Sequence, residues 1–185
     1  MKILVVGGLG YVGTVLVQEL LNHKHKVNVF DLNIYNTIKF ENSENLKIIE
    51  GDVRNLDSLK SAINDCDTVI HLACISNDPS FDLDPTLGKS INLDCFEPFV
   101  KMCKENSIKR FIYASSSSVY GIKKEANVHE KMSLEPLTDY SKFKVLCEKI
   151  LLKYQSENFC TTIVRPATVC GFSPRQRIDL VVNLL

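Results

Sequence analysis

Apolar residues along the chain follow two periods. Residues 2–6 (KILVV), 26–30 (KVNVF), 46–51 (LKIIEG), 67–73 (DTVIHLA), 109–115 (KRFIYAS) and 161–165 (TTIVR) are short apolar runs of strand length. Between them the apolar positions recur every three to four residues, which predicts helices. Residues 11–23 place Val12, Leu16 and Leu20 four apart, with Val15 on the same face. A short helix is expected over 55–64, a long one over 85–106 and another over 137–155. The stretch SNDPSFDLDPTLG, rich in Pro, Asp and Asn, reads as a loop. Apolar strands alternating with helices predict an α/β fold, a parallel sheet with helices on both faces. The last residues, RIDLVVNLL, predict the start of an amphipathic helix that ends on two leucines. The sequence therefore reads as part of a longer chain.

Composition narrows the class. The 185 residues suffice for one sizeable core, and 45% hydrophobic with 24% charged residues is ordinary for a globular protein. The 22 basic and 22 acidic residues cancel, and no basic run suggests nucleic acid as a partner. No apolar stretch approaches the roughly 20 residues of a membrane span. The start, MKILVVGG, is too short and glycine-bound for a signal peptide, so the expected location is cytoplasmic. Seven cysteines form no C-x-x-C pair, and most sit in apolar runs. They read as reduced core residues rather than a zinc site or a disulfide framework.

Gly7, Gly10 and Gly13 form G-x-x-G-x-x-G directly between a strand and a helix. Gly7 permits a tight turn, Gly10 lets the backbone approach a pyrophosphate, and Gly13 lets helix and strand pack closely. The amides and dipole at the helix start favour an anion. A turn that binds nothing would explain the glycines alone, and Gly8 is assigned only to turn flexibility. Asp31 changes the balance. It follows the second strand, 18 residues after Gly13, where a carboxylate accepts hydrogen bonds from ribose hydroxyls. The following residues, LNIYN, hold no base for a 2′-phosphate, which favours NAD over NADP; Lys39 is the nearest later base. The sheet is thus expected to be a Rossmann-type, doubly wound one.

Residues 113–121 (YASSSSVYG) end the fifth strand, and strand carboxyl ends are where such sheets bind ligands. Tyr140 and Lys144 follow, four apart at a helix start, on one face. An ammonium beside a phenol favours the phenolate, so the tyrosine can act as a base. A serine hydroxyl can hydrogen-bond the same substrate oxygen.

With GGLGYVG, GDVRN, VIHLAC, YASSSSVYG, YSKFK and VRPATVCG in this order, the chain resembles the extended short-chain dehydrogenases/reductases, the NAD-dependent epimerase/dehydratase group acting on nucleotide sugars. The resemblance implies Tyr140 as catalytic base, Lys144 as its activator and a ribose ligand, and Ser116 as the catalytic serine, with Ser115 and Ser117 as lesser candidates. It implies cofactor contacts at Tyr11 and Val12 in the loop, Asp52 and Val53 of GDV, Leu72 and Ala73 of HLA, and Pro166. His71 reads as packed rather than reactive. Ser117, Thr168, Arg175 and Arg177 fall on the substrate side.

Two departures bear on the reaction. The family's sugar 4,6-dehydratases carry an Asp-Glu pair straight after the catalytic threonine, where Ser117 and Ser118 stand here. Elimination of water needs an acid and a base there. Many epimerases carry Asn where this chain has Thr168. Asp78, Asp82 and Asp84 lack the spacing of a calcium loop, so no metal is expected.

The resemblance thus implies an epimerase-type enzyme that oxidises a sugar hydroxyl to a transient keto-sugar. A dehydratase, dehydrogenase or reductase of the same family, or a non-catalytic NAD-binding module, are the alternatives. Residues 1–165 would form the NAD-binding unit with the catalytic trio, and 166–185 would begin the substrate region, most of which lies outside this chain. The 185-residue chain alone would then bind NAD without necessarily turning over substrate. Family members often dimerise by pairing helices such as 85–106 and 137–155 into a four-helix bundle, so a homodimer is plausible by resemblance.

Overall fold

The computed structural model describes residues 1–36, 38, 40, 41, 43–76, 81 and 83–183. Lys39, Asp78 and Asp82 lie outside the described residues. Six strands, β1 (Lys2–Val6), β2 (Lys26–Asp31), β3 (Leu46–Glu50), β4 (Thr68–His71), β5 (Arg110–Ala114) and β6 (Cys160–Val164), form one sheet in the order β3-β2-β1-β4-β5-β6. Every neighbouring pair is parallel. This is the Rossmann order, and it reverses between β1 and β4, which opens a crevice at their carboxyl ends.

The strand alternation sorts the core into two layers. Leu4, Val6, Phe30, Val69 and Phe111 point to one face. There they meet α2 (Leu56–Ala62), α4 (Phe96–Glu105) and α5 (Asp139–Tyr154) through Leu59, Phe96, Phe99, Cys147 and Leu151. Ile3, Val5, Val27 and Val29 point to the other face, against Val17 of α1 (Tyr11–Asn22). Each fully buried Phe or Leu here stabilises by roughly 1.5–3 kcal/mol. β4 stops at His71 because the amides of Leu72 and Ala73 both turn to the Val6 carbonyl, at 2.8 and 3.0 Å.

The helix expected over 85–106 is not continuous. It divides into α3 (Pro85–Lys89), a π-helical turn (Ser90–Asp94) and α4. Asp84, in the segment expected as a loop, caps α3, accepting from the Leu87 amide at 2.9 Å. The π turn rotates Asn92 inward, where its side chain accepts from the Ile75 amide and donates to the Ile75 carbonyl, both at 2.9 Å.

The expected C-terminal helix is also absent among the described residues. Only a 3₁₀ turn (Val181–Asn183) forms. Asn183 instead donates to the Arg177 carbonyl at 2.8 Å and accepts from the Gly171 amide at 3.1 Å, folding 171–183 back on itself. No cysteine is paired; Cys66, Cys103 and Cys147 are buried, whereas Cys160 and Cys170 are exposed, unlike the core reading. No helix among the described residues is long and apolar enough to cross a membrane.

Candidate active site

The glycine loop shows why each position is glycine. Gly7 has φ +85°, and a Cβ there would lie 2.6 Å from the Ala73 amide nitrogen. A Cβ on Gly13 would lie 2.3 Å from the Gly7 carbonyl oxygen. Gly8 is more than turn flexibility: its Cβ would meet Val29 Cγ1 at 2.8 Å, so the loop lies flat on β2. Gly10 differs. Its backbone is extended and its Cβ would meet only the Gly7 oxygen, at 3.3 Å, with the rest open. Gly10 caps α1 without a side-chain hydrogen bond, and the first turn holds no acid. This end of α1 can therefore take an anion close to its backbone.

Asp31, the last residue of β2, aims its carboxylate at this loop. Oδ2 accepts from the Leu9 amide at 3.0 Å and Oδ1 from the Asn33 amide at 3.1 Å. Asp52 lies beyond β3, where the Arg54 guanidinium grips it and holds its carboxyl below the usual range. Val53 is a core residue whose side chain packs with the α2-side layer, so only its backbone can face a ligand. Leu72 and Ala73 line the crevice beside Gly7, each packed partly into one core layer. Val12 is exposed, while the Tyr11 hydroxyl donates to the Gly171 carbonyl at 2.8 Å.

The Ser, Tyr and Lys gather at the β5 end. α5 begins with a capping box, Thr138 accepting from the Ser141 amide at 3.3 Å while Ser141 Oγ accepts from the Thr138 amide at 3.1 Å. That cap fixes Tyr140 in the first turn. Lys144, one turn later and buried, donates to the Ala114 carbonyl at 2.7 Å. Its Nζ lies 5.6 Å from the Tyr140 ring centre and 4.9 Å from that of Tyr113. Ser116 caps the 3₁₀ turn Ser117–Tyr120, its Oγ accepting from the Ser118 amide at 3.1 Å and from Ser118 Oγ at 2.8 Å. The Ser117 amide donates to the Pro166 carbonyl at 2.9 Å, which places Pro166 against the same turn. His71 is buried and stacked 5.5 Å from Phe96. Burial, with the Lys144 ammonium nearby, pushes its pKa down to about 3, so it stays neutral and packed.

The substrate-side residues separate. Arg175 lies over the Tyr35 ring, 3.7 Å from its centre, on the side of the segment that follows Asp31. Arg177 pairs with Asp179, which raises its pKa, and the fields of Cys74 and Tyr140 add to the effect. The two arginines thus hold different partners and do not converge on one group. Thr168 is exposed. Among the described residues no group of three or more His, Cys, Asp or Glu is placed to hold a metal.

Two features escaped the sequence reading. One is the Asn92 clamp. The other is Glu148, buried on α5 with Arg165 as its partner at 2.7 Å. Its signal was available: Tyr140, Lys144 and Glu148 repeat every four residues along one face.

Comparison with known proteins places the fold and the family. The model of the NAD dependent epimerase/dehydratase family matches residues 3–184. The chain is 36% identical to an uncharacterized UDP-glucose epimerase, YtcB, of Bacillus subtilis, over 100% of this chain and 61% of that protein. It is 28% identical to the human sterol-4-alpha-carboxylate 3-dehydrogenase, decarboxylating, over 97% of this chain and 47% of that one. The fold superimposes on UDP-glucuronic acid 4-epimerase from Bacillus cereus, crystallised with UDP-glucuronic acid and NAD. There the TM-score is 0.85 and the identity 32%, over 99% of this chain and 61% of the other. The chain thus spans about half to three-fifths of the length of these relatives. It belongs to the NAD dependent epimerase/dehydratase family, within the extended short-chain dehydrogenases/reductases.

Proposed function

We propose that this chain is the cofactor-binding and catalytic part of an NAD-dependent nucleotide-sugar epimerase. The observation that carries the reading is the placement of Lys144 between the Ala114 carbonyl and the Tyr140 ring, beside the Ser116 turn. The start of α1 would hold the pyrophosphate through the amides after Gly10. Asp31 would take the adenosine ribose hydroxyls, and the carbonyls and side chains near Ala73 and Pro166 would line the nicotinamide end. NAD, when bound, supplies the hydride acceptor.

Tyr140 would remove the proton from a sugar hydroxyl. The Lys144 ammonium, held by a carbonyl on one side, favours the phenolate on the other. Ser116 would hydrogen-bond the oxygen as it becomes a carbonyl. If the keto-sugar turns over, return of the hydride to its other face and of the proton from Tyr140 to the carbonyl oxygen would give the epimer. Arg175 and Arg177 would meet a charged substrate group, each having to leave its present partner, Tyr35 or Asp179. Elimination is disfavoured because Ser117 and Ser118 offer no acid–base pair.

In this reading residues 1–165 form the NAD-binding unit and 166–185 begin the substrate region. The whole protein would be a homodimer joined through the α3–α4 and α5 faces. The test is to incubate the NAD-loaded whole protein, substrate region included, with UDP-glucose or UDP-glucuronic acid and resolve the products by NMR. A new epimer supports the reading. Accumulating NADH with an oxidised sugar points to a dehydrogenase instead, and no change with bound NAD points to a binding module.

A further inference from the structure

Ser116 sits in a loop whose two neighbours are both held by the β6 exit. The Ser115 amide donates to the Val164 carbonyl at 2.8 Å, and the Ser117 amide to the Pro166 carbonyl at 2.9 Å. Arg165 lies between those two acceptors. Its guanidinium turns inward, giving Glu148 Oε1 a hydrogen bond from Nε at 3.0 Å and Oε2 one from Nη2 at 2.7 Å. Glu148 Oε1 also accepts the Ser115 hydroxyl proton. The remaining arm of Arg165 donates to the Tyr120 hydroxyl at 2.9 Å and lies over that ring. Glu148 is 2% exposed, and its partner's side chain 18%.

One ion pair therefore ties α5, the β5 exit, the 3₁₀ turn and the β6 exit together. Glu148 is one turn beyond Lys144, and the two grip consecutive residues of the β5 exit, Ser115 and Ala114. A buried pair of this kind is a poor source of net stability, because desolvation offsets its Coulomb attraction. Apolar side chains would fill the same space. What they would not supply is a fixed direction at four separate segments.

We infer that Glu148 and Arg165 are positioning residues that hold the Ser116 turn in register with Tyr140 and Lys144. This rests on the catalytic reading proposed above. It assigns Ser115 an anchoring role through Glu148, not the catalytic-serine role for which it was a lesser candidate.

The test uses the whole protein, substrate region included, with NAD, and UDP-glucose and UDP-glucuronic acid as probes. Ser115→Ala removes one anchor while leaving the ion pair intact; Glu148→Gln breaks the pair. Turnover, NAD affinity by calorimetry and amide exchange are measured together. Both variants are expected to lower kcat by roughly tenfold or more, since small misplacements of reacting groups are costly. KM and NAD affinity should stay within about threefold, the split expected when binding is spared. Exchange at amides 115–120 should rise about tenfold while β1 and β2 stay protected. Unchanged kcat overturns the inference even if exchange rises, because the pair is then only structural. A loss confined to NAD affinity, or exchange rising evenly over the chain, also overturns it. If Glu148→Gln does not fold, Ser115→Ala decides. If the parent turns over neither probe, the catalytic reading fails. The positioning inference, which rests on that reading, then falls with it, whereas unchanged kcat in the variants of an active parent overturns the inference alone.

Discussion

Replacing Gly10 with alanine separates a glycine kept for a ligand from glycines kept for the fold. Its backbone is already extended, so alanine adopts it without strain. The added methyl meets only the Gly7 oxygen at 3.3 Å. Losing glycine at a helix cap costs a few tenths to about 1 kcal/mol, and the stiffer unfolded chain returns about 0.4–1 kcal/mol. Net stability should therefore change by less than about 1 kcal/mol, or roughly 2–4 °C in Tm for a chain of this size. A pyrophosphate on the α1 amides would instead meet the methyl directly. Losing one or two hydrogen bonds to a charged group costs about 2–4 kcal/mol. That corresponds to roughly 30- to 1,000-fold weaker NAD binding. Gly13→Ala is the contrast, because its methyl would lie 2.3 Å from one backbone oxygen and 2.6 Å from Gly8 Cα. No rotamer relieves that clash, so about 3 kcal/mol or more of stability should be lost. Thermal unfolding without ligand and NAD calorimetry measure both quantities. The reasoning is refuted if Gly10→Ala binds NAD within threefold of the parent, or if it melts as early as Gly13→Ala.

Other variants test neighbouring steps. Asp31→Ala should weaken NAD by about ten- to a hundredfold, since it removes charged acceptors for the ribose and frees the Leu9 amide; calorimetry with NAD and NADP checks it, and the loss should be smaller for NADP. Gly8→Ala should cost about 1–3 kcal/mol, and a Val29→Ala background should recover part of it, because the two side chains would compete for one space; a double-mutant cycle by denaturant unfolding reads the coupling. His71 has a folded pKa near 3, well below its unfolded value of about 6.5, so unfolding takes up a proton below pH 6.5. Its contribution to instability is absent above pH 6.5 and grows as pH falls toward 3. Between pH 7.5 and 5 the parent should lose about 2 kcal/mol more than His71→Leu, measured by urea unfolding at both pH values.

Much of this architecture was legible in the residues. Strand runs such as KILVV and KRFIYAS are buried by parallel pairing on both sides, and short apolar runs read that way whatever surrounds them. The glycine spacing, Asp31, and Tyr140 with Lys144 carry their geometry in local spacing, which a sequence displays directly. Features set by distant partners were not visible. SINLDCF reads as helix, yet the chain winds there into a π turn whose Asn92 side chain bonds to the Ile75 backbone, 17 residues away. The end of the chain reads as an amphipathic helix, yet Asn183 bonds to Gly171 and Arg177 instead. Arg175 and Arg177 look equivalent in sequence, but Tyr35 and Asp179 draw them apart. Gly8 required Val29 to be seen beneath it.

The central claim is that Tyr140 performs proton transfer in a site that NAD completes. Tyr140→Phe removes the hydroxyl and keeps the ring beside Lys144. The decisive measurement is conversion of UDP-glucose or UDP-glucuronic acid by the NAD-loaded whole protein, substrate region included, compared between parent and Tyr140→Phe. The account predicts epimer formation by the parent, a fall of about a hundredfold or more in the variant, and NAD affinity unchanged within about threefold. Equal turnover by the two proteins, or no turnover by the parent with NAD bound, contradicts it.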